Sequence, residues 1–441
     1  MARLLLLLLL VVVLLAFGSP AAASERRRNA ITHVKGFDGP LPFYLETGYV
    51  EVDATHGTEL FYYFIQWQRS PKEDPLIVWI TGGPGCSALS GLFFEIGPLK
   101  FDVASYTEGF PTLVYFEDSW TKVSNVIFLD APVGTGFSYA REEQGLNVSL
   151  TGTGAQLRIF LEKWIADHPE FTSNPLYIGG DSYSGYPVPV TALEIANHND
   201  AGHASGGQKL NLQGYLVGNP GTDDRYDTPG KVPFMHGMGL ISDELYEAAR
   251  VSCSRDDFVT PSNARCANAL DAISLVTTDI NPDNLEHRLA LPVECRDNGY
   301  RLSYIWSDDA EVRETLGIRD GSIGAWSRCT TLAHYRHDVR SAVPYHVNLT
   351  SRGYRALAYN GDHDLDFTFV GTQAWIRTMG YPVVAPWRPW YSKQQVAGFT
   401  TEYAYNLTYA TVKGAGHTAP EYRPKECLDM LDRWTSPAGK L

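Results

Sequence analysis

Ser182, Asp364 and His417 are the residues whose types and settings point to chemistry. Ser182 stands in residues 176–190, LYIGGDSYSGYPVPV, between a short apolar run and a segment able to start a helix. A serine on a tight strand-to-helix turn has its hydroxyl pushed out above a sheet, and small neighbours relieve the crowding. The spacing here is G-D-S-Y-S-G, with Ser184 where glycine is commonest in G-x-S-x-G. A serine hydroxyl is a weak nucleophile near neutral pH and needs a base oriented by a third group. Two downstream loops, each just after a strand-like run, supply those types: YNGDHDLDF carries Asp364 and KGAGHTAP carries His417. Asp362 and Asp366 compete with Asp364, and His417 is one of 12 histidines in the chain. Each residue singly is compatible with a structural role. Three such loops in the order Ser, Asp, His point to acyl transfer through a serine ester.

Acyl transfer also needs two N–H donors for the tetrahedral oxyanion, and losing one costs about 10²- to 10³-fold in rate. The stretch WITGGPGCS places Thr81, Gly82 and Gly83 in a turn after a strand-like run, where backbone amides can approach a substrate. The N–H groups of Gly83 and Tyr183 form the obvious pair. A phosphate-binding loop is the rival use of such a turn, but no Gly-Lys-Ser/Thr follows it.

The elements that must hold these loops are legible as pattern. GYVEVDATHGTELFYYFIQW alternates apolar and polar residues on both sides of a turn, which predicts a hairpin. The runs LIVWI, NVIFLD, LYIG and GYLVGN each end in a Gly- or Asp-containing loop, as strands buried on both faces do. Between them lie helix-length segments such as residues 155–167, with Leu157, Phe160, Leu161 and Trp164 on one face. Alternating strand and helix imply a largely parallel sheet with helices on both faces. Residues 24–223 read as the first part of this core. Residues 224–340 read as a helical cap insertion holding four of the six cysteines, and residues 341–441 as the second part of the core.

The chain has 441 residues, 44% hydrophobic and 20% charged, which suits a packed globular protein and excludes disorder. Its net charge of -14 argues against nucleic acid or anionic lipid as partner. The apolar run near the start, followed by Ala21, Ala22 and Ala23, reads as a signal peptide over residues 1–23. No later stretch reaches membrane length, so a lumenal protein with no membrane partner is expected, in a vacuole or outside the cell. On that route Asn147, Asn348 and Asn406 head N-x-Ser/Thr sequons and are expected glycosylation sites. The cysteines become disulfide candidates whose pairing sequence alone leaves open. No cofactor and no metal are expected.

WITGGPGCSALSG, FLDAPVGTGFSYA, GGDSYSGYPVP, GYLVGNP, YNGDHD and KGAGHTAPEYRP follow one another over most of the chain. In these six motifs the sequence resembles the serine carboxypeptidase family, and more closely its plant serine carboxypeptidase-like acyltransferase branch. The resemblance implies an α/β-hydrolase fold with a cap insertion, a triad of Ser182, Asp364 and His417, and oxyanion donors at Gly83 and Tyr183. It selects Asp364 over its neighbours. It also implies disulfides Cys86–Cys329 and Cys253–Cys266. The run from 281 to 296 is short and lacks a cap cysteine the family generally has, which leaves Cys295 unpaired and Cys427 free.

Two positions bear on the acceptor. Peptidase members typically carry Asn before the Gly-Gly-Pro-Gly turn and Glu before the nucleophile, where they help hold a peptide's terminal carboxylate. This chain has Thr81 and Asp181 there. Thr has fewer donors than an amide and Asp is one methylene shorter than Glu, so the set facing a carboxylate is altered. Asp181 in G-D-S-Y-S-G resembles the acyltransferases, which use glucose esters. The implied reaction passes an acyl group from a small-molecule donor, a 1-O-acyl-β-glucose, to a small-molecule acceptor hydroxyl. The aromatic-rich APWRPWYSKQQ could line the acceptor pocket, although such a Trp and Tyr cluster is more often simple packing. A serine carboxypeptidase, a hydroxynitrile lyase and a non-catalytic binding protein are the alternatives on the same scaffold.

Overall fold

A computed structural model describes residues 29–66, 70–205, 209–254, 256–283, 285, 294–436 and 438–441. The expected signal peptide and the side chain of Cys295 lie outside the described residues. No helix among them is long and apolar enough to cross a membrane.

The strands are β1 (Asn29–Ile31), β2 (Tyr44–Asp53), β3 (Thr58–Gln66), β4 (Leu76–Ile80), β5 (Leu99–Phe101), β6 (Leu113–Tyr115) and β7 (Asn125–Leu129). After them come β8 (Tyr139–Ala140), β9 (Leu176–Asp181), β10 (Leu212–Gly218), β11 (Arg355–Gly361), β12 (Val383–Ser392), β13 (Gln395–Tyr403) and β14 (Leu407–Val412). One 12-stranded sheet runs β1-β2-β3-β7-β4-β9-β10-β11-β14-β13-β12, with β8 on β3; β5 and β6 pair separately. Strands β7 through β14 in that order are mutually parallel, and antiparallel strands flank them on both sides. The expected hairpin is β2 and β3, antiparallel throughout.

The central strands have no polar face because both of their faces are covered: every residue of β4, β7 and β9 is buried. Successive side chains feed two cores. Ile77 and Trp79 of β4 join one with Met430 and Trp434, while Val78 and Ile80 join the other with Leu157 and Phe160. The helices are α1 (Leu150–Asp167), α2 (Pro187–Ser205), α3 (Asp224–Gly237), α4 (Asp243–Ser252), α5 (Ala264–Thr277), α6 (Glu294–Ser307) and α7 (Ala310–Leu316). The remaining four are α8 (Val343–Ser351), α9 (Phe369–Thr378), α10 (Ala419–Tyr422) and α11 (Pro424–Thr435). Helix α1 starts five residues ahead of the expected 155, because Ser149 caps it by accepting the Gly152 N–H at 3.1 Å.

Between β10 and β11 no strand occurs among the described residues; helices α3 to α8 lie in the interval. Val232, Phe234, Ala249 and Ile273 of this stretch form a small core of their own that includes Leu365, the residue after Asp364. The aromatic stretch expected near the acceptor instead forms β12 and the turn into β13, at the outer edge of the sheet beyond β14. Trp390 is buried there with its Nε1 donating to the Thr411 carbonyl at 2.8 Å, and Trp387 stacks on Phe399. Cross-strand packing accounts for these rings.

Cys86 is bonded to Cys329, and Cys253 to Cys266. Cys427 is a free thiol inside the core, on α11, and burial pushes its pKa well up. An alkylating reagent should therefore leave Cys427 unmodified in the native protein and modify it after denaturation without reductant. Peptide mapping checks this, and alkylation of Cys427 in the native state would show the core to be open.

Candidate active site

Ser182 follows β9 directly and has a left-handed backbone, φ 57°. Non-glycine residues adopt that region at a cost of roughly 1–3 kcal/mol, so the surroundings must enforce it. They do so by contact. A Cβ on Gly82 would stand 2.6 Å from Ser182 Cβ, and one on Gly180 would stand 2.4 Å from the Ile80 carbonyl oxygen. The turns after β4 and β9 are thus pressed together with no room for side chains. Ser184 uses the same contact: its Oγ donates to the Ile80 carbonyl at 2.8 Å, a bond that glycine at this position of the motif could not make.

Strands β9, β10, β11 and β14 are neighbours and parallel, so the loops at their C-terminal ends meet. His417, after β14, lies with Nε2 2.8 Å from Ser182 Oγ and Nδ1 3.0 Å from Asp364 Oδ2. With a carboxylate at Nδ1, that nitrogen carries the proton and Nε2 is free to take one from the serine. Burial works against the imidazolium, but the Asp364 carboxylate, backed by Asp366 and Asp283, outweighs it and raises the His417 pKa. Phe367 stacks against the ring at 5.8 Å.

Asp364 is fully buried. It accepts from Asn219 Nδ2 at 2.7 Å and from the N–H groups of Asp366 at 2.8 Å and Phe367 at 3.2 Å. Asn219 is a residue the sequence reading passed over, although it stands in the GYLVGNP motif. It follows β10 with φ 42°, and its Oδ1 accepts the Gly361 N–H at 3.1 Å. Its second bond secures the end of β11, the strand that leads to Asp364. The signal that could have found it is an Asn closing the strand between those that carry Ser182 and Asp364.

Asp181 ends β9 and Thr81 follows β4, on neighbouring paired strands. Both are buried, and Asp181 Oδ1 and Thr81 Oγ1 have no hydrogen-bond partner among the described residues. Burial pushes the Asp181 carboxyl up to about 6, against the pull of His417 and of the Gly82 N–H. Glu95 is a second residue that pattern did not single out. Burial and the nearby Asp181 raise its carboxyl well above the ordinary range, and Trp79 Nε1 donates to it at 2.9 Å. Tyr183, after the serine, has its phenol on Tyr335 at 3.2 Å and on His337 Nδ1 at 2.7 Å.

A serine at a strand-to-helix turn, with Asp and His delivered by later strands of one parallel sheet, is the arrangement of the α/β-hydrolases. Within that class the serine carboxypeptidase profile matches residues 36–437, and the chain belongs to this family. It is 46% identical over 411 residues to serine carboxypeptidase-like 2 of Arabidopsis thaliana, covering 92% of this chain and 91% of that one. It is 47% identical over 408 residues to serine carboxypeptidase-like 4 of the same plant, with the same coverage. Among solved structures, the prohormone-processing carboxypeptidase Kex1Δp of Saccharomyces cerevisiae superposes with a TM-score of 0.75 at 22% identity, over 90% of this chain and 93% of that one, a likeness of fold.

Two outcomes follow from the site. Asn219→Ala takes a buried donor from a carboxylate, a bond worth about 1.5–3 kcal/mol, so labelling of Ser182 by a fluorophosphonate should slow about 10- to 100-fold. An unchanged rate would show that Asp364 is oriented without it. Folded Asp181 keeps its proton up to a pH of about 6, whereas an unfolded Asp loses it near 3.8, so its contribution to stability is full below that lower value and is lost as pH rises through the upper one. Asp181→Asn should gain in melting temperature relative to the parent between about pH 4 and 7. A difference that stays constant across that range would contradict the shift.

Proposed function

We propose that the chain is an acyltransferase of the serine carboxypeptidase-like type, with Ser182, His417 and Asp364 as its triad. Ser182 gives its proton to His417 Nε2 and attacks the ester carbonyl of a 1-O-acyl-β-glucose. The N–H groups of Gly83 and Tyr183 hold the oxyanion. Glucose leaves with the proton from His417; an acceptor hydroxyl, deprotonated by the same imidazole, then attacks the acyl carbon, the bond to Ser182 Oγ breaks, and His417 returns the proton to Ser182.

The observation that carries this reading is the pair of unpartnered atoms, Thr81 Oγ1 and Asp181 Oδ1, buried beside the nucleophile. A hydroxyl can donate and accept, so a sugar hydroxyl matches either kind of atom; a carboxylate can only accept and meets Asp181 unfavourably when Asp181 is ionised. Carboxypeptidase activity is the second reading, favoured by the Glu95 and Asp181 carboxyls, whose raised pKa values let a protonated form donate to a peptide's terminal carboxylate. The disulfides and the plant relatives are consistent with a secretory protein. We further place it in the vacuole or outside the cell, with glycans on Asn147, Asn348 and Asn406, all three of which are exposed.

The test is mass spectrometry of the purified protein with a panel of 1-O-acyl-β-glucoses and mixed hydroxyl and amine acceptors, run beside a blocked dipeptide. Acceptor-dependent ester formation, abolished in Ser182→Ala, is the expected result. Release of a free C-terminal amino acid from the dipeptide without ester formation would assign the peptidase reading.

A further inference from the structure

The motif FLDAPVGTGFSYA has no part in the chemistry above, yet it buries a carboxylate at its centre. Asp130 follows β7 and is fully buried. Its Oδ1 accepts from Ser87 Oγ at 2.7 Å and from the Ala88 N–H at 2.8 Å, and its Oδ2 accepts from the Phe137 N–H at 2.9 Å. The chain folds back around this carboxylate at Gly136, φ 53°, where a Cβ would stand 2.2 Å from Asp130 Oδ2. Ser138 Oγ then donates to the Asp130 carbonyl at 2.6 Å and accepts the Phe61 N–H of β3 at 2.7 Å. Most of the motif is thus explained as a cradle built around one side chain.

What the cradle grips is the turn that carries Gly83. The Cys86 N–H closes that turn on the Gly82 carbonyl at 3.2 Å, and the Ser87 N–H reaches the Arg328 carbonyl at 2.6 Å. Cys86 is also bonded to Cys329. A helical stretch starts at Ala88, whose carbonyl accepts the Leu92 N–H at 3.0 Å, and it ends at Glu95. The first N–H groups of a helical stretch have no partner within it. Here the acceptor comes from the neighbouring loop, and Asp130 fixes both the start of the stretch and the exit of the glycine turn.

We propose that Asp130 is a positioning residue for the oxyanion hole, holding residues 83–88 so that the Gly83 N–H stays aimed above Ser182. The proposal rests on Gly83 as an oxyanion donor and not on which acceptor takes the acyl group. Bonds from N–H and O–H to a carboxylate are about twice as strong as neutral ones, and a misplacement of about 1 Å at a reacting centre can cost about 10²-fold. In Asp130→Asn an amide replaces one carboxylate oxygen, so a donor must face either the Phe137 N–H or the Ser87 and Ala88 donors.

The experiment measures phosphonylation of Ser182 by a fluorophosphonate, in which an Oγ–P bond forms as fluoride leaves, together with steady-state hydrolysis of p-nitrophenyl acetate. Asp130→Asn should lower both the labelling rate and kcat about 10- to 100-fold with KM within about twofold, and Ser87→Ala should move both the same way by less. Glu46→Gln is the control: it disturbs a buried carboxyl network with Tyr44, Tyr62 and His168 away from the turn, and should lower melting temperature without slowing labelling. If Asp130→Asn does not fold, Ser87→Ala decides. Rate losses no larger than the loss of folded protein, equal slowing in Glu46→Gln, or a rise in KM at constant kcat would overturn the proposal. A parent that labels normally yet cleaves only peptides would defeat the acyltransferase reading and leave this one standing, whereas a parent inert to the probe would overturn both.

Discussion

The contact between the turns after β4 and β9 is the constraint on which the site depends. Ser182 is held in a left-handed conformation because Gly82 lies against its Cβ and Gly180 lies against the Ile80 carbonyl. Neither turn can take that position unless the strands are adjacent and in register, and β4 pairs with β9 from Leu76 on Leu176 to Ile80 on Gly180. The parallel sheet does more than supply a platform. It makes the C-terminal ends of β4, β9, β10, β11 and β14 coincide, so that residues hundreds of positions apart close on one hydroxyl.

Buried polar groups around that hydroxyl divide by how fully they are satisfied. Asp364 accepts four protein hydrogen bonds, one of them from the His417 imidazole, and Asp130 accepts three, from the turn after Gly83 and from Phe137. Asp181 and Thr81 keep an unused atom each. An unsatisfied buried polar atom costs about 1–3 kcal/mol. The separation of holding groups from waiting groups is what gives the site a direction.

The helical insertion is tied to the same loops. The His417 N–H donates to the Asp283 carbonyl at 2.7 Å and the Leu365 N–H to the Pro282 carbonyl at 2.9 Å. The Cys86–Cys329 bond closes on the turn that carries Gly83 from a segment past the insertion's helices. Insertion and core also share packing: Leu302, Trp306, Val312 and Leu316 join the cluster that holds Ile77 and Trp79, and Leu365 joins the cluster of Val232 and Phe234.

Much of this was legible in sequence because it is local. Apolar runs ending in glycine or aspartate marked the buried strands, and the order of the Ser, Asp and His loops marked three residues that the fold brings together. Asn219, Glu95 and Asp130 were not legible, because each has its meaning in partners far along the chain: Asp364 for the first, Trp79 and Asp181 for the second, Ser87 and Ala88 for the third. The aromatic stretch at β12 was open to two uses for the same reason, since a Trp at an edge strand and a Trp in a pocket look alike until the strand order is known. By itself the sequence determined which elements form and which loops can do chemistry, since propensity and periodicity act over a few residues. Only the tertiary structure decided which side chains hold Asp364 and which buried oxygens are left without a partner, because those depend on strand register and on what fills the space beside each atom.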